Sequence, residues 1–542
     1  MTTNTGIAWP GSSNGKLYAG VALGSLLVWL LSTLVYNVYF HPLRKYPGPL
    51  LQRASGLPWA LRHSAGVQAF HTQKLHDAYG PVVRIGPNHL SFTDPKAWKD
   101  IYGHRVGSES QSTEMPKAKV FLNTLRAFPS SIISAEREEH SRLRRALSHG
   151  FSDSSMRQQE PTIVKYVDLL LDRLHRECGN GAHELNMEAW YNWTTFDVVG
   201  DLVFGQSFGC LEHTSYHPWI RFIIGMVRTG AVMISLGYVG LGEVVQLMFR
   251  FGNLAVEKMR RYIDDMLRSR LEMGKPRDDL FEGLVKRRED WNLSFDKLTA
   301  NAFVLVLAGS ETTATTCEYH FISRDTSQNC RKFTAYPQRA LANPDDAVSG
   351  ATYLLLSHPD IHEKLKQEVR STFSNAGEIT MNTVNSLSYM LSTLSESLRL
   401  YPPVTSNLVR VVPSGGALIA DSFVPGGTYV EVQHWSTNHS KDNWADPWAF
   451  RPERFLASTE EARLAGDKLD ALQAFSIGPR NCIGRNLAYA EMRLILARIV
   501  YDFDLTLADD SKDWIERQKT YALWDRIPLN VYLTPAQGGS KA

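Results

Sequence analysis

Ten residues near the C-terminus have the types and the spacing to bind a metal through sulfur, and they read FSIGPRNCIG from Phe475 to Gly484. Cys482 supplies a thiolate, and a thiolate bound to haem iron favours cleavage of an O–O bond. Phe475 offers a flat apolar wall that keeps water from the sulfur and helps to set its potential. The segment therefore predicts a haem-thiolate centre with Cys482 as the metal ligand.

The other fixed residues of this segment fit the same interpretation. Gly478 and Gly484 let the backbone approach a porphyrin without an intervening Cβ atom. Arg480 offers a forked cation to a haem propionate. The alternative is an ordinary buried cysteine in a glycine-rich turn, and three further motifs upstream argue against it.

A second motif lies in a segment whose first half is apolar and whose second half is small and polar, 295–316. A glycine and a run of threonines are unfavourable inside a helix, so their presence suggests a function. Ala308 and Gly309 would leave room beside a flat cofactor for dioxygen. Glu311 and Thr312 would supply a carboxyl and a hydroxyl group that relay protons to it. A packing face of small residues is the alternative.

Both motifs resemble those of one family. The pattern F-x-x-G-x-R-x-C-x-G resembles the haem-binding signature of the cytochrome P450 monooxygenases, and AGSETT resembles that family's oxygen-groove motif A-G-x-D/E-T-T. The resemblance covers residues 45–535. It implies a mainly α fold with small β-sheets, haem b as the cofactor, and oxidation of an apolar small molecule by dioxygen.

The resemblance also assigns a structural network. Glu396 and Arg399 are three residues apart, on one face of a predicted helix, and Arg454 follows in the segment FRPERF. In the family these residues form a buried Glu-Arg-Arg network that supports the haem-binding core. An ordinary surface salt bridge is the alternative for an isolated E-x-x-R pair.

Three further residues are expected at the haem propionates. His140 and Arg144 lie one turn apart in the basic segment EHSRLRRALSHGFS and match the family's W/H-x-x-x-R helix. Arg410 matches the place of another propionate-binding arginine. A solvated basic face is the alternative for the first pair.

Residues 17–40 form an apolar and uncharged run that is long enough, as a helix, to cross a hydrocarbon core. They therefore predict a membrane anchor. Arg44 and Lys45 follow the run and place the C-terminal side in the cytosol. A cleaved signal peptide is the rival, although this run is too long and lacks small residues at its end. The predicted organisation is a lumenal tail (1–16), a transmembrane anchor (17–40), a proline-rich hinge (41–50) and a catalytic domain (51–542). The resemblance places the protein in the endoplasmic reticulum membrane.

Composition limits the partners. The net charge is +2 without a basic block, so nucleic-acid binding is not expected. The five cysteines include no CxxC pair, which indicates neither a zinc site nor a disulfide framework. No Gly-rich phosphate turn follows a strand, so electrons must come from another protein. The resemblance names NADPH–cytochrome P450 reductase, with cytochrome b5 as a second candidate donor.

Periodicity predicts the elements that position these motifs. Residues 82–93 are expected to form a hairpin. Ser294 is expected to cap the predicted helix 295–316. Short strands are expected at 407–412 and 428–433. Helices are predicted at 163–176, 254–273, 295–316, 358–373 and 387–400.

Residues 317–348 interrupt the oxygen-groove helix with a mixed segment that lacks helical periodicity. We interpret this segment as a translated, unspliced intron, because codons for Cys317-Glu318-Tyr319 and Ala347-Val348 can contain splice donor and acceptor signals. Joining the flanks through a single Leu or Phe restores a continuous apolar helix. A genuine family insertion is the alternative.

The phrases YNWTTFDVVGDLVFGQSFGCL and AWKDIYGHR resemble filamentous-fungal members that tailor secondary metabolites. A polyketide, terpenoid or alkaloid substrate is therefore expected. Two alternatives stay open: a non-catalytic or misfolded haem protein, because the insertion breaks the helix, and a haem enzyme that runs a redox-neutral rearrangement or a dehydration.

Overall fold

Helices account for most of the chain that the structure, a computed structural model, describes. It describes residues 12–104, 114–125, 129–251, 253–311, 346–406, 408–456, 466–521, 523–525 and 527–536. The α-helices there are α1 (Ser12–Val35), α2 (Leu50–Ala54), α3 (Leu57–Ser64), α4 (Gln68–Tyr79), α5 (Lys96–Tyr102), α6 (Arg137–Ser148), α7 (Asp153–Glu177), α8 (Met187–Phe204), α9 (Cys210–His213), α10 (Pro218–Tyr238), α11 (Gly242–Phe251), α12 (Asn253–Glu272), α13 (Glu282–Lys286), α14 (Phe295–Glu311), α15 (Asp346–Ser357), α16 (Pro359–Thr372), α17 (Ser388–Leu400), α18 (His434–Asn438) and α19 (Arg485–Asp502).

The strands are short and form small sheets. They are β1 (Val82–Gly86), β2 (His89–Phe92), β3 (Glu184–Asn186), β4 (Arg410–Val411), β5 (Ala417–Ile419), β6 (Ser422–Val424), β7 (Tyr429–Val432), β8 (Phe503–Leu507), β9 (Lys519–Thr520), β10 (Trp524–Asp525) and β11 (Asn530–Pro535). The largest sheet has the order β1-β2-β7-β4, with β2 and β7 parallel and the other pairs antiparallel. A second sheet has the order β3-β11-β8. The predicted mainly α fold with small β-sheets is confirmed.

The main core lies between the long helices. Helix α8 packs against both α7 and α14, and almost all of its side chains are buried. A helix that is buried on all sides belongs in the centre of a large domain. This core holds α14 and the segment before α19 in place, and those two elements carry the motifs singled out above.

The predicted elements are found with shifted ends. The hairpin, the two strands and the helices at 163–176, 254–273, 358–373 and 387–400 correspond to β1-β2, β4, β7, α7, α12, α16 and α17. Helix α7 begins ten residues earlier than predicted, because Ser152 caps it by accepting a hydrogen bond from the amide of Ser155. Ser294 Oγ likewise accepts the amide of Lys297, as expected for a cap.

The N-terminal anchor prediction falls on a continuous helical segment. Among the described residues, Gly15–Phe40 is the helix long and apolar enough to cross a membrane, and none of its most apolar stretch is buried in the protein. Helix α1 passes directly into a π-helical turn, Tyr36–Phe40. The following hinge is packed against the domain, since Leu43 is 0% exposed and Tyr46 is 6% exposed.

The predicted helix 295–316 is described only in part. Helix α14 covers Phe295–Glu311, and α15 begins at Asp346. Thr312 and most of the interrupting segment, residues 317–345, lie outside the described residues. In α15, Ala347 and Val348 are buried in the main core.

Candidate active site

The loop that presents Cys482 lies between a 3-10 turn, Gly478–Arg480, and the first residue of α19. The amide of Cys482 donates a hydrogen bond to the carbonyl oxygen of Phe475 at 2.9 Å, which closes the loop on itself. Residues 472–481 are all half-buried, and Cys482 is exposed. Burial nevertheless raises the pKa of the Cys482 thiol. The thiol is thus accessible within a loop that is otherwise half-buried, which fits a haem ligand.

Arg144 supports this loop directly. Its guanidinium donates to the carbonyl oxygen of Asn481 at 2.7 Å and to the side-chain oxygen of the same residue at 2.5 Å. Its charge and the amide of Gly484 both act to lower the Cys482 pKa, against the larger effect of burial. The observed partner of Arg144 is thus the cysteine loop, and its role at a propionate remains a prediction.

The glycines of the loop also have local reasons. Gly478 has a φ of +76°, and a Cβ atom there would clash with the carbonyl oxygen of Tyr102. The end of α5 therefore requires a glycine at this position, and its expected approach to a porphyrin stays a prediction. A Cβ on Gly484 would lie 3.9 Å from Cys482 Sγ, which is ordinary contact.

Arg480, predicted to bind a propionate, is held by an acidic partner. It donates to Glu114 Oε1 from Nε at 3.0 Å and from Nη2 at 2.8 Å, and to the carbonyl oxygen of Ala135 from Nη1 at 2.9 Å. The two side chains of the ion pair are 7% and 9% exposed. Glu114 is therefore a neighbour of the predicted site that sequence reasoning missed.

Cations gather around this ion pair. Lys117 donates to the carbonyl oxygen of Ile133 at 2.7 Å, and Arg410 donates to that of Met115 at 3.2 Å. Within the described parts of the chain, the pair Arg480–Glu114 is the only ion pair that Lys117, Arg410 or Arg480 forms. Two cations therefore lack a carboxylate.

The same excess of positive charge perturbs the titrating groups. Burial first, and then Arg410 and Arg480, lower the pKa of Lys117 to about 7. Burial, Arg480 and Lys117 lower the pKa of His140 to about 4. Two carboxylates would balance this charge, and haem carries two propionates. The thiol of Cys482 and the cations around the Arg480–Glu114 pair therefore both fit haem.

The oxygen-groove residues are placed only partly. A Cβ on Gly309 would lie 3.0 Å from Val199 Cγ2, so this glycine allows α14 to approach α8 closely. This contact gives Gly309 a packing role, which is the alternative that the sequence left open. Ala308 is half-buried, and Glu311 is the last described residue of α14. The proton-relay roles of Glu311 and Thr312 remain predictions.

The structure brings Glu396, Arg399 and Arg454 together. Glu396 accepts from Arg399 Nε at 2.7 Å and Nη2 at 2.8 Å, and from Arg454 Nε at 3.2 Å. Arg454 Nη1 also donates to Asp467 at 2.7 Å. All four side chains are at most 1% exposed. The network is electrically neutral with Asp467 included, and the sequence offers no signal for that fourth member.

Comparisons with known proteins agree with this geometry. A sequence model described as Cytochrome P450 matches residues 56–323 and 347–531. The cytochrome P450 monooxygenase tpeC of Talaromyces stipitatus is 43% identical over 96% of this chain and 96% of its own. The trichothecene C-15 hydroxylase of Fusarium sporotrichioides is 38% identical, over 94% of this chain and 97% of its own. The averantin hydroxylase of Dothistroma septosporum is 39% identical, over 95% and 90%.

The chain therefore belongs to the cytochrome P450 family and is a monooxygenase, an oxidoreductase that uses a haem iron.

Proposed function

We propose that this enzyme inserts one atom of dioxygen into an apolar small molecule, with haem b held by Cys482. The observation that carries the proposal is an accessible thiol in the loop that Arg144 supports, together with Lys117 and Arg410, which form no ion pair among the described residues. When bound, haem supplies the dioxygen chemistry. Arg480, Arg410, His140 and Lys117 hold its propionates, and Glu311 and Thr312 deliver protons.

The names of two relatives support oxidation at a carbon atom, since both are hydroxylases. We propose that the substrate is a fungal secondary metabolite with a polyketide, terpenoid or alkaloid skeleton. Electrons come from NADPH–cytochrome P450 reductase, with cytochrome b5 as an alternative donor. Arg142 and Arg145 lie exposed on the helix whose Arg144 contacts the cysteine loop, so that helix suits the docking of such a donor.

We further propose that the apolar helix Gly15–Phe40 anchors the protein in the endoplasmic reticulum membrane with the catalytic domain in the cytosol. The exposed apolar side chains of this helix support the anchor. Arg44 and Lys45, which are exposed directly after it, support the orientation.

The unspliced-intron interpretation of residues 317–348 is also a proposal. The family match stops at residue 323 and resumes at 347, close to both proposed boundaries. In the shortened chain the junction Leu would replace Val348, which is 0% exposed, so an apolar residue suits the position. α14 and α15 would then continue into one another.

The test is the ferrous–CO difference spectrum of the full chain and of a variant in which residues 317–348 are replaced by one Leu. We expect the red-shifted thiolate band in the shortened protein and little of it in the full chain. Equal bands would overturn the intron interpretation, and no band in either would overturn the haem-thiolate assignment. Consumption of NADPH and dioxygen coupled to product then separates monooxygenation from a redox-neutral reaction.

A further inference from the structure

Two arginines lie where the chain leaves the apolar helix, and neither has an acidic partner among the residues that the structure describes. Arg84 on β1 is fully buried, and Arg53 on α2 is half-buried. Arg84 donates from Nε and Nη2 to the carbonyl oxygen of Pro87, at 3.0 and 2.5 Å. Arg53 donates from Nη2 to the carbonyl oxygens of Val38 and Arg44, at 3.1 and 3.3 Å. Among the described residues, neither arginine forms an ion pair.

The same place contains polar atoms without a hydrogen-bond partner in the described structure. They are Arg84 Nη1, Arg53 Nε and both side-chain atoms of Gln52, which is 1% exposed. A buried donor without an acceptor costs free energy. Burial first, and then the charge of Arg53, lower the pKa of Arg84 to about 10. The cluster therefore has the composition of an anion site.

The location of the cluster indicates which anion reaches it. Arg53 binds the carbonyl oxygens of Val38 and Arg44, which lie at the end of the apolar helix and directly after it. The short helices α2 and α3 beside it expose four leucines that are 52–72% accessible, namely Leu50, Leu51, Leu57 and Leu61. Exposed leucines next to cations are typical of a surface at the headgroup level of a bilayer.

We propose that Arg53 and Arg84 form a binding site for the phosphate group of an anionic phospholipid. Arg53, whose side chain reaches the surface, makes the direct contact, and the buried Arg84, whose charge acts on that of Arg53, adds to the positive potential there. Such a lipid would fix the catalytic domain at one height and tilt. This inference rests on the membrane anchor proposed above.

The experiment uses the full chain in vesicles of phosphatidylcholine, with and without phosphatidylinositol, and follows unfolding by tryptophan fluorescence. We expect phosphatidylinositol to raise the apparent unfolding temperature by about 2 °C or more. Arg53→Gln should remove most of that rise. Arg84→Gln tests the buried partner, and Arg53→Gln alone decides the site if Arg84→Gln does not fold. Lys45→Gln is the matched control, because Lys45 is exposed close to the cluster and stacks on Tyr46.

Each outcome decides a separate point. An equal loss in Lys45→Gln would show diffuse charge attraction and overturn the site. An equal stabilisation of the detergent-solubilised chain by inorganic phosphate would keep an anion site and overturn the lipid as its occupant. Extraction of the vesicles with alkaline carbonate tests the anchor itself. A chain that stays in the vesicles but ignores phosphatidylinositol overturns the lipid site alone, whereas a chain that is extracted overturns the anchor.

Discussion

Arg144 donates two hydrogen bonds to Asn481, and Asn481 is the residue before the thiol that marks the active site. The contact ties α6 to the cysteine loop across more than three hundred residues of sequence. It also brings a permanent cation close to Cys482, whose pKa it acts to lower. The loop and the helix are therefore one unit mechanically and electrostatically.

Replacing Arg144 with Gln should weaken that unit. A charge-assisted pair of hydrogen bonds is lost, and so is a positive charge beside the sulfur. We expect lower haem content per protein and a more negative reduction potential of the haem iron, measured by redox titration. Arg145→Gln is the control, since Arg145 is exposed one position along the same helix. An unchanged potential in the Arg144 variant would contradict this role.

We expect Lys117 to bind a haem propionate, although no local sequence motif predicts this role. Burial and neighbouring cations lower the pKa of Lys117. A propionate would offset both effects, because its negative charge stabilises the protonated amine. Loss of one charge-assisted hydrogen bond is worth about 1.5–3 kcal/mol, so Lys117→Gln should release haem at least roughly tenfold faster. The measurement is haem transfer to apomyoglobin. Lys119→Gln, at a side chain that is 76% exposed, should leave the rate unchanged.

The Glu396 network should be required for folding. Glu396→Gln leaves Arg399 and Arg454 buried without their shared carboxylate, at a cost of about 3–5 kcal/mol. We expect little soluble protein with a thiolate-type CO band. Glu453→Gln is the matched control, because Glu453 pairs with the exposed Lys364 and accepts a hydrogen bond from the hydroxyl of the half-buried Tyr389. Normal yield and spectrum from the Glu396 variant would show that Arg399 and Arg454 do not depend on it.

The sequence predicted these sites unevenly, for physical reasons. Periodicity and capping residues predicted the helices, because the apolar residues of a buried helix face recur at helical spacing in the local sequence, as they do in α17. Motif spacing singled out Glu396, which the structure brings together with Arg399 and Arg454, and Cys482, whose role as a haem ligand stays a prediction. Partners from other segments were missed, since nothing local marks Glu114 or Asp467 as facing an arginine. The contact of Gly478 with Tyr102 was missed for the same reason, because the two residues lie far apart in sequence.

Thr312→Ala should uncouple electron use from product formation. Without the hydroxyl, the protons that O–O cleavage requires are not delivered through this side chain, so oxygen reduced by two electrons takes its two protons from water and leaves as hydrogen peroxide. We expect an unchanged CO spectrum with more peroxide and less product per NADPH consumed. Thr312→Ser keeps a hydroxyl and should restore coupling. Full coupling in the Ala variant would remove Thr312 from the proton relay.

Stability should fall as the pH drops below neutrality, because several histidines are buried in the neutral form. Burial lowers the pKa of His63 from 6.5 to about 4, while its Nδ1 lies 3.2 Å from the carbonyl oxygen of Ala231. A lowered pKa means that its contribution is complete above pH 6.5 and is lost as the pH falls towards 4. The loss for His63 is about 2 kcal/mol at about pH 5. Unfolding temperatures measured between about pH 7.5 and 5 should therefore decline less for His63→Gln than for the wild type, whereas His213→Gln, at an exposed site, should follow the wild type. Equal declines in all three proteins would show that the buried ring does not titrate on unfolding.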